Sequence, residues 1–194
     1  MHEVYKLRLS PTAEIASDEV EILAEAQLIA DETTALYGVP PVSVALVDAT
    51  AIEPDGEYDP WTREVRLKRT VLALPWRGLL AHELGHVSLS HDVDGLCSDV
   101  ATVERAELKA NARGVEILVR VVGLSVEEAV DHFVQAFRRI KTRLEREHAE
   151  PPLGQPHPDV ALRDLLTRFP EVSEPLDVAA GEGGAASGDR GHDH

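Results

Sequence analysis

Apolar residues recur mostly at helical spacing and alternate at strand spacing only in short stretches. Residues 10–37 predict a first helix. Ser10-Pro11 is a start signal, Glu14 complements the positive end, and Gly38 with Pro40-Pro41 stops it. Val20, Leu23, Ala24, Gln27, Leu28, Asp31, Ala35 and Leu36 form its mostly apolar stripe. Val42–Val47 predicts a strand that is apolar on both faces. Glu57–Asp59 and Glu64–Lys68 flank Pro60-Trp61-Thr62-Arg63 and predict a hairpin, with Val65 and Leu67 alternating with charged residues. Strands this few and short make a small antiparallel sheet that needs helices to cover it.

The rest of the chain reads as helical. Pro75–Ser90 carries Leu79, Leu80, Leu84, Val87 and Leu89, and Asp92-Val93-Asp94-Gly95 breaks it. A long pattern follows from about Asp99 to Val122, ended by Gly123. Ser125-Val126-Glu127-Glu128 is a capping box opening a helix to about His148. The expected organisation is an α+β domain over residues 1–150, a Pro-rich linker with a short helix near Val160–Phe169 over 151–170, and a disordered acidic, Gly-rich tail over 171–194.

Charge narrows the function classes. The net charge of −16 argues against direct nucleic-acid binding and against an anionic membrane surface. The lone Cys97 rules out an internal disulfide and a cysteine zinc ribbon. The N-terminal residues have no secretory pattern, and no apolar run approaches the ~20 residues of a membrane span. The expectation is a cytoplasmic protein.

Chemistry concentrates in His82-Glu83-Leu84-Gly85-His86, an HExxH sequence on a predicted helix. Imidazoles four residues apart share one face and can converge on one ion, zinc by preference for such donors. Glu83 lies roughly 100° around the axis and can reach a water without ligating the ion. Gly85 permits close approach of another segment. A catalytic zinc needs a third protein ligand. His91 is out of helical phase with His82 and reads better as a surface or supporting residue. In the next helix Glu107 heads the stripe Glu107, Ala110, Gly114, Ile117, Leu118, Val121, and helix phase favours it over Glu104. Tyr58, His91 and His132 are candidate oxyanion stabilisers. Val65–Leu67 is a candidate sheet edge for an extended peptide. Trp61 and Trp76 read as packing residues. Cys97 as a fourth ligand, or His192-Asp193-His194 as a metal scavenger, is a weaker reading.

HELGH followed by Glu107-Leu108-Lys109-Ala110-Asn111, an E-x-x-A-N element, resembles the ImmA/IrrE family of zinc metallopeptidases over about residues 20–125. The resemblance implies a zincin-like fold with His82, His86 and Glu107 as zinc ligands, Glu83 as catalytic acid/base and Asn111 supporting the ligands. It implies an endopeptidase acting on a regulatory protein, such as a phage or mobile-element transcriptional repressor. No helix-turn-helix pattern accompanies it here. The alternative is a non-catalytic zincin-fold binding module, an anti-repressor or interaction protein with structural zinc.

Overall fold

A computed structural model describes residues 17–52, 54–73, 76–90 and 99–172. The elements in chain order are α1 (Ser17–Tyr37), β1 (Ser43–Val47), β2 (Gly56–Asp59), β3 (Glu64–Lys68), a 3-10 turn (Arg69–Ala73), α2 (Trp76–Ser88), α3 (Val100–Ile117) with a π-helical turn (Leu118–Val122), α4 (Val126–Glu147) and α5 (Pro158–Arg168). The class is α+β. None of the described helices is long and apolar enough to cross a membrane.

Local chemistry sets the boundaries. Gly38 adopts φ 67° and closes α1, with Val39 N donating to Thr34 O at 3.0 Å. Asp99 caps α3 by accepting from Thr102 N. Gly123, at φ 82°, ends the π turn. The Ser125–Glu128 capping box forms in both directions. α5 begins at Pro158, two residues before the expected Val160.

The sheet is mixed, not antiparallel as the sequence suggested. β2 and β3 form the expected antiparallel hairpin, but β1 lies on the other side of β3 and runs parallel to it. α2 lies against β2, with Leu79 packed over Gly56. The strand containing Val65 and Leu67 is therefore central and cannot serve as a peptide-binding edge; the edges are β1 and β2. Gln27 of α1 covers part of the β1 edge. Its side chain accepts from Val44 N and donates to Val42 O, both at 2.9 Å, occupying main-chain groups that another strand would seek.

One face of the sheet is apolar and covered. Val44, Leu46, Val65 and Leu67 meet α1 and α2, and the core continues through Leu80, Ala81 and Leu84 of α2 to Val115, Ile117, Phe133, Val134 and Phe137. Ala161 and Leu165 bring α5 into the same core. The other face carries Arg66, which binds Glu57 (2.9 Å), Glu64 (2.9 Å) and Asp59 (2.6 Å).

Two packing expectations change. α1 buries Leu23, Ala26, Ile29, Ala30, Thr33 and Thr34, whereas Val20, Leu28 and Leu36 of the expected stripe are exposed. The buried face is the smaller-residue face, which lets the helix come close to the sheet and α2. Trp76 is buried as expected, but Trp61 is 78% exposed, standing clear of the core at the hairpin turn.

Candidate metal centre

α2 and α3 meet at a seam without bulk. A Cβ placed on Gly85 would lie 2.5 Å from the carbonyl oxygen of Ala110. A Cβ on Gly114 would lie 3.1 Å from the backbone of Ala81 and 2.5 Å from the Phe133 ring. Residues 82, 85 and 86 of α2 therefore approach residues 107, 110, 111 and 114 of α3 closely enough for short side chains to meet across the seam.

His82, His86 and Glu107 converge there, close enough to hold a metal ion. The Nε2 atoms of the two imidazoles are 3.2 Å apart. His82 Nε2 lies 3.3 Å from Glu107 Oε2, and His86 Nε2 lies 3.4 Å from Glu107 Oε1. A tetrahedral ion with bonds of about 2.0–2.1 Å separates its ligand atoms by roughly 3.3 Å. The spacing and the two-imidazole, one-carboxylate donor set thus fit a small divalent cation.

The groups around the triad hold it in place. His82 Nδ1 lies 2.8 Å from Asn111 Oδ1, and Asn111 is 5% exposed. With the amide oxygen as acceptor, Nδ1–H donates to it and Nε2 faces Glu107 and His86, donating to Glu107 when protonated and offering its lone pair when an ion is held. Burial disfavours the charged form of His82, but the hydrogen bond to Glu107, the charges of Glu83 and Glu107 and the bond to Asn111 outweigh it. In the metal-free protein the ring is pushed up to about 9. Burial likewise opposes charge on Glu107, yet hydrogen bonds to both imidazoles and their positive charge hold its carboxyl well below the ordinary range.

Glu83 points elsewhere, 6% exposed and beside rather than within the triad. Burial raises its pKa, and the Glu107 charge adds to this. The imidazoles and a hydrogen bond from the Tyr58 backbone N–H pull the other way without reversing it. A carboxylate of raised basicity near a cation site is suited to proton transfer.

The Tyr58 contact was not visible in the sequence, which offered Tyr58 only as a side-chain oxyanion candidate. It is the main chain of Tyr58 that reaches Glu83. No motif encodes this, because it depends on β2 lying along α2. Glu104 is not among the converging donors. His132 packs over Gly78, where a Cβ would meet its own Cβ at 3.1 Å, one helical turn before His82. His91, Cys97 and His192-Asp193-His194 lie outside the described residues. Comparison with protein-family models gives no match for this chain, and comparison with curated proteins gives none.

Proposed function

We propose that the chain is a zinc-dependent endopeptidase of the kind its HELGH and E-x-x-A-N elements resemble. Its substrate would be a regulatory protein such as a phage or mobile-element transcriptional repressor. The observation that carries this reading is the tetrahedral-edge spacing of His82, His86 and Glu107, with Glu83 buried beside them. Two neutral imidazoles and one carboxylate leave a fourth position for solvent, the arrangement of catalytic rather than structural zinc.

When bound, zinc supplies Lewis-acid activation of water and of a peptide carbonyl. Glu83 then takes a proton from the attacking water and passes it to the leaving amine; its burial beside the triad suits it to both steps. Asn111 fixes the His82 ring, so Nε2 faces the triad in one tautomer. The Tyr58 N–H holds the Glu83 carboxylate against β2. Because β2 is a sheet edge among the described residues, its remaining outward main-chain groups can hold an extended peptide next to Glu83.

The test is cleavage of a candidate repressor by zinc-loaded protein against a Glu83→Gln variant. The variant should bind zinc at the same stoichiometry and lose cutting by roughly 100-fold or more. Equal cutting by both would remove Glu83 from the mechanism, and purified protein that takes up no zinc would sink the reading.

A further inference from the structure

β2 and α2 run side by side in the same direction. Gly56 lies against Leu79, where a Cβ would meet the leucine Cγ at 3.0 Å, and Tyr58 N–H reaches Glu83. Advancing along β2 therefore advances along α2 toward His86. Trp61 follows three residues after Tyr58, at the His86 end of this pair. Trp61 is 78% exposed, in contrast to Trp76 at 6%.

The base of Trp61 is held firmly. Asp59 Oδ1 accepts from Trp61 N at 2.9 Å and from Thr62 N at 3.3 Å, while Asp59 Oδ2 binds Arg66 at 2.6 Å. Arg63, at φ 53°, donates through Nε to Pro41 O at 3.1 Å, tying the turn to the segment before β1. A large aromatic ring on a turn braced this way can bury apolar area with little loss of conformational freedom.

We infer that Trp61 is a specificity-determining platform that docks an apolar or aromatic side chain of the peptide substrate, N-terminal to the bond that is cut. This rests on the endopeptidase reading for the meaning of "cut". Antiparallel pairing is the more stable of the two directions; a peptide paired so runs against β2, and residues upstream of the position beside Glu83 pass over Asp59 and then Trp61. Three residues at about 3.3 Å each give a span of roughly 10 Å. The docked side chain therefore sits two to four residues before the scissile bond.

The experiment uses the full-length, zinc-loaded protein and a synthetic random-sequence decapeptide library. Cleavage products are sequenced from wild type, Trp61→Ala and Trp61→Phe. In parallel, peptides are captured on immobilised Glu83→Gln protein with and without Trp61→Ala. Wild-type products should be enriched in Phe, Tyr, Trp, Leu or Met two to four residues before the cut. Trp61→Ala should lose about tenfold in kcat/KM for those peptides, mostly through KM, with Trp61→Phe restoring most of it. An unchanged preference in Trp61→Ala overturns the platform and leaves the hydrolase reading intact. Trp61-dependent capture of apolar peptides that wild type never cuts keeps the platform and overturns the hydrolase. Absence of both cutting and capture overturns both.

Discussion

Replacing Gly85 with alanine adds one carbon at the point where the metal centre is assembled. That carbon would lie 2.5 Å from the Ala110 carbonyl oxygen and 3.1 Å from both its carbonyl carbon and Cα, about 0.9 Å short of ordinary contact at the closest point. The obstacle is backbone in mid-helix, so no rotamer change relieves it, and α2 and α3 must separate. Overpacking of this kind costs about 1–3 kcal/mol, equivalent to a Tm lower by roughly 2–12 °C for a chain of this size. The same separation pulls Glu107 on α3 away from His82 and His86 on α2, and bond lengths at a metal site tolerate only about ±0.2 Å. Zinc affinity should fall roughly 10–100-fold. Gly78→Ala is the matched control, because its Cβ would meet His132 Cβ at 3.1 Å and the His132 backbone only at the ordinary distances of 3.5 and 3.6 Å. Scanning calorimetry with and without chelator, together with competitive zinc titration, measures both effects. A Gly85→Ala protein that melts within a degree of wild type and binds zinc equally well would refute the close seam as the basis of the site.

The other predictions address single contacts. Asn111→Leu should lower zinc affinity roughly 10–100-fold by removing the bond that orients His82, as read by chelator competition. Gln27→Ala should destabilise the fold by about 1–3 kcal/mol in urea titration, since two main-chain groups of the β1 edge lose their partner. Ser125→Ala should remove about 1 kcal/mol of stability through loss of the capping box without changing zinc uptake. In chelator, His82 is raised above its ordinary 6.5, so its contribution to stability is full below pH 6.5 and is lost as pH climbs through about 9. Glu107 is depressed below its ordinary 4.5, so its contribution is present above that value and fades as pH drops. The metal-free Tm should therefore decline between pH 6.5 and 9.5 while the zinc-loaded Tm does not, because binding requires the deprotonated ring.

Elements defined by local chemistry were legible in the sequence. The capping box at Ser125, the stop at Gly123 and the β2–β3 hairpin each follow from neighbouring residues and appear where expected. Long-range pairing was not legible. β1 is apolar enough to pair on either side, and nothing in its own residues selects a parallel place beside β3, with β2 on the opposite side. The buried face of α1 departs from the hydrophobic pattern for a related reason. Val20 and Leu28 are the more hydrophobic choice, but Ala26, Ala30 and Thr33 leave room for close contact, and proximity rather than hydrophobicity selects the buried face.

The candidate site divides along the same line. His82 and His86 are legible because one helix turn places both imidazoles together, and Glu107 because an acid at the head of an apolar stripe must find a partner in the core. The third side of the triangle depends on how closely two helices approach, and here Gly85 and Gly114 are the informative residues. Glycine lowers helix stability by about 1 kcal/mol relative to alanine, so two of them facing one seam are explained by what they admit. They admit a carboxylate 3.3–3.4 Å from two imidazoles that lie 3.2 Å from each other. Without an ion, this crowds three hydrogen-bonding groups around one point with few protons to share. With an ion, every donor atom has a partner, so zinc removal should loosen the α2–α3 seam before the β2–β3 hairpin. Amide exchange with and without chelator can order the two: faster exchange confined to the hairpin would contradict a metal-supported seam.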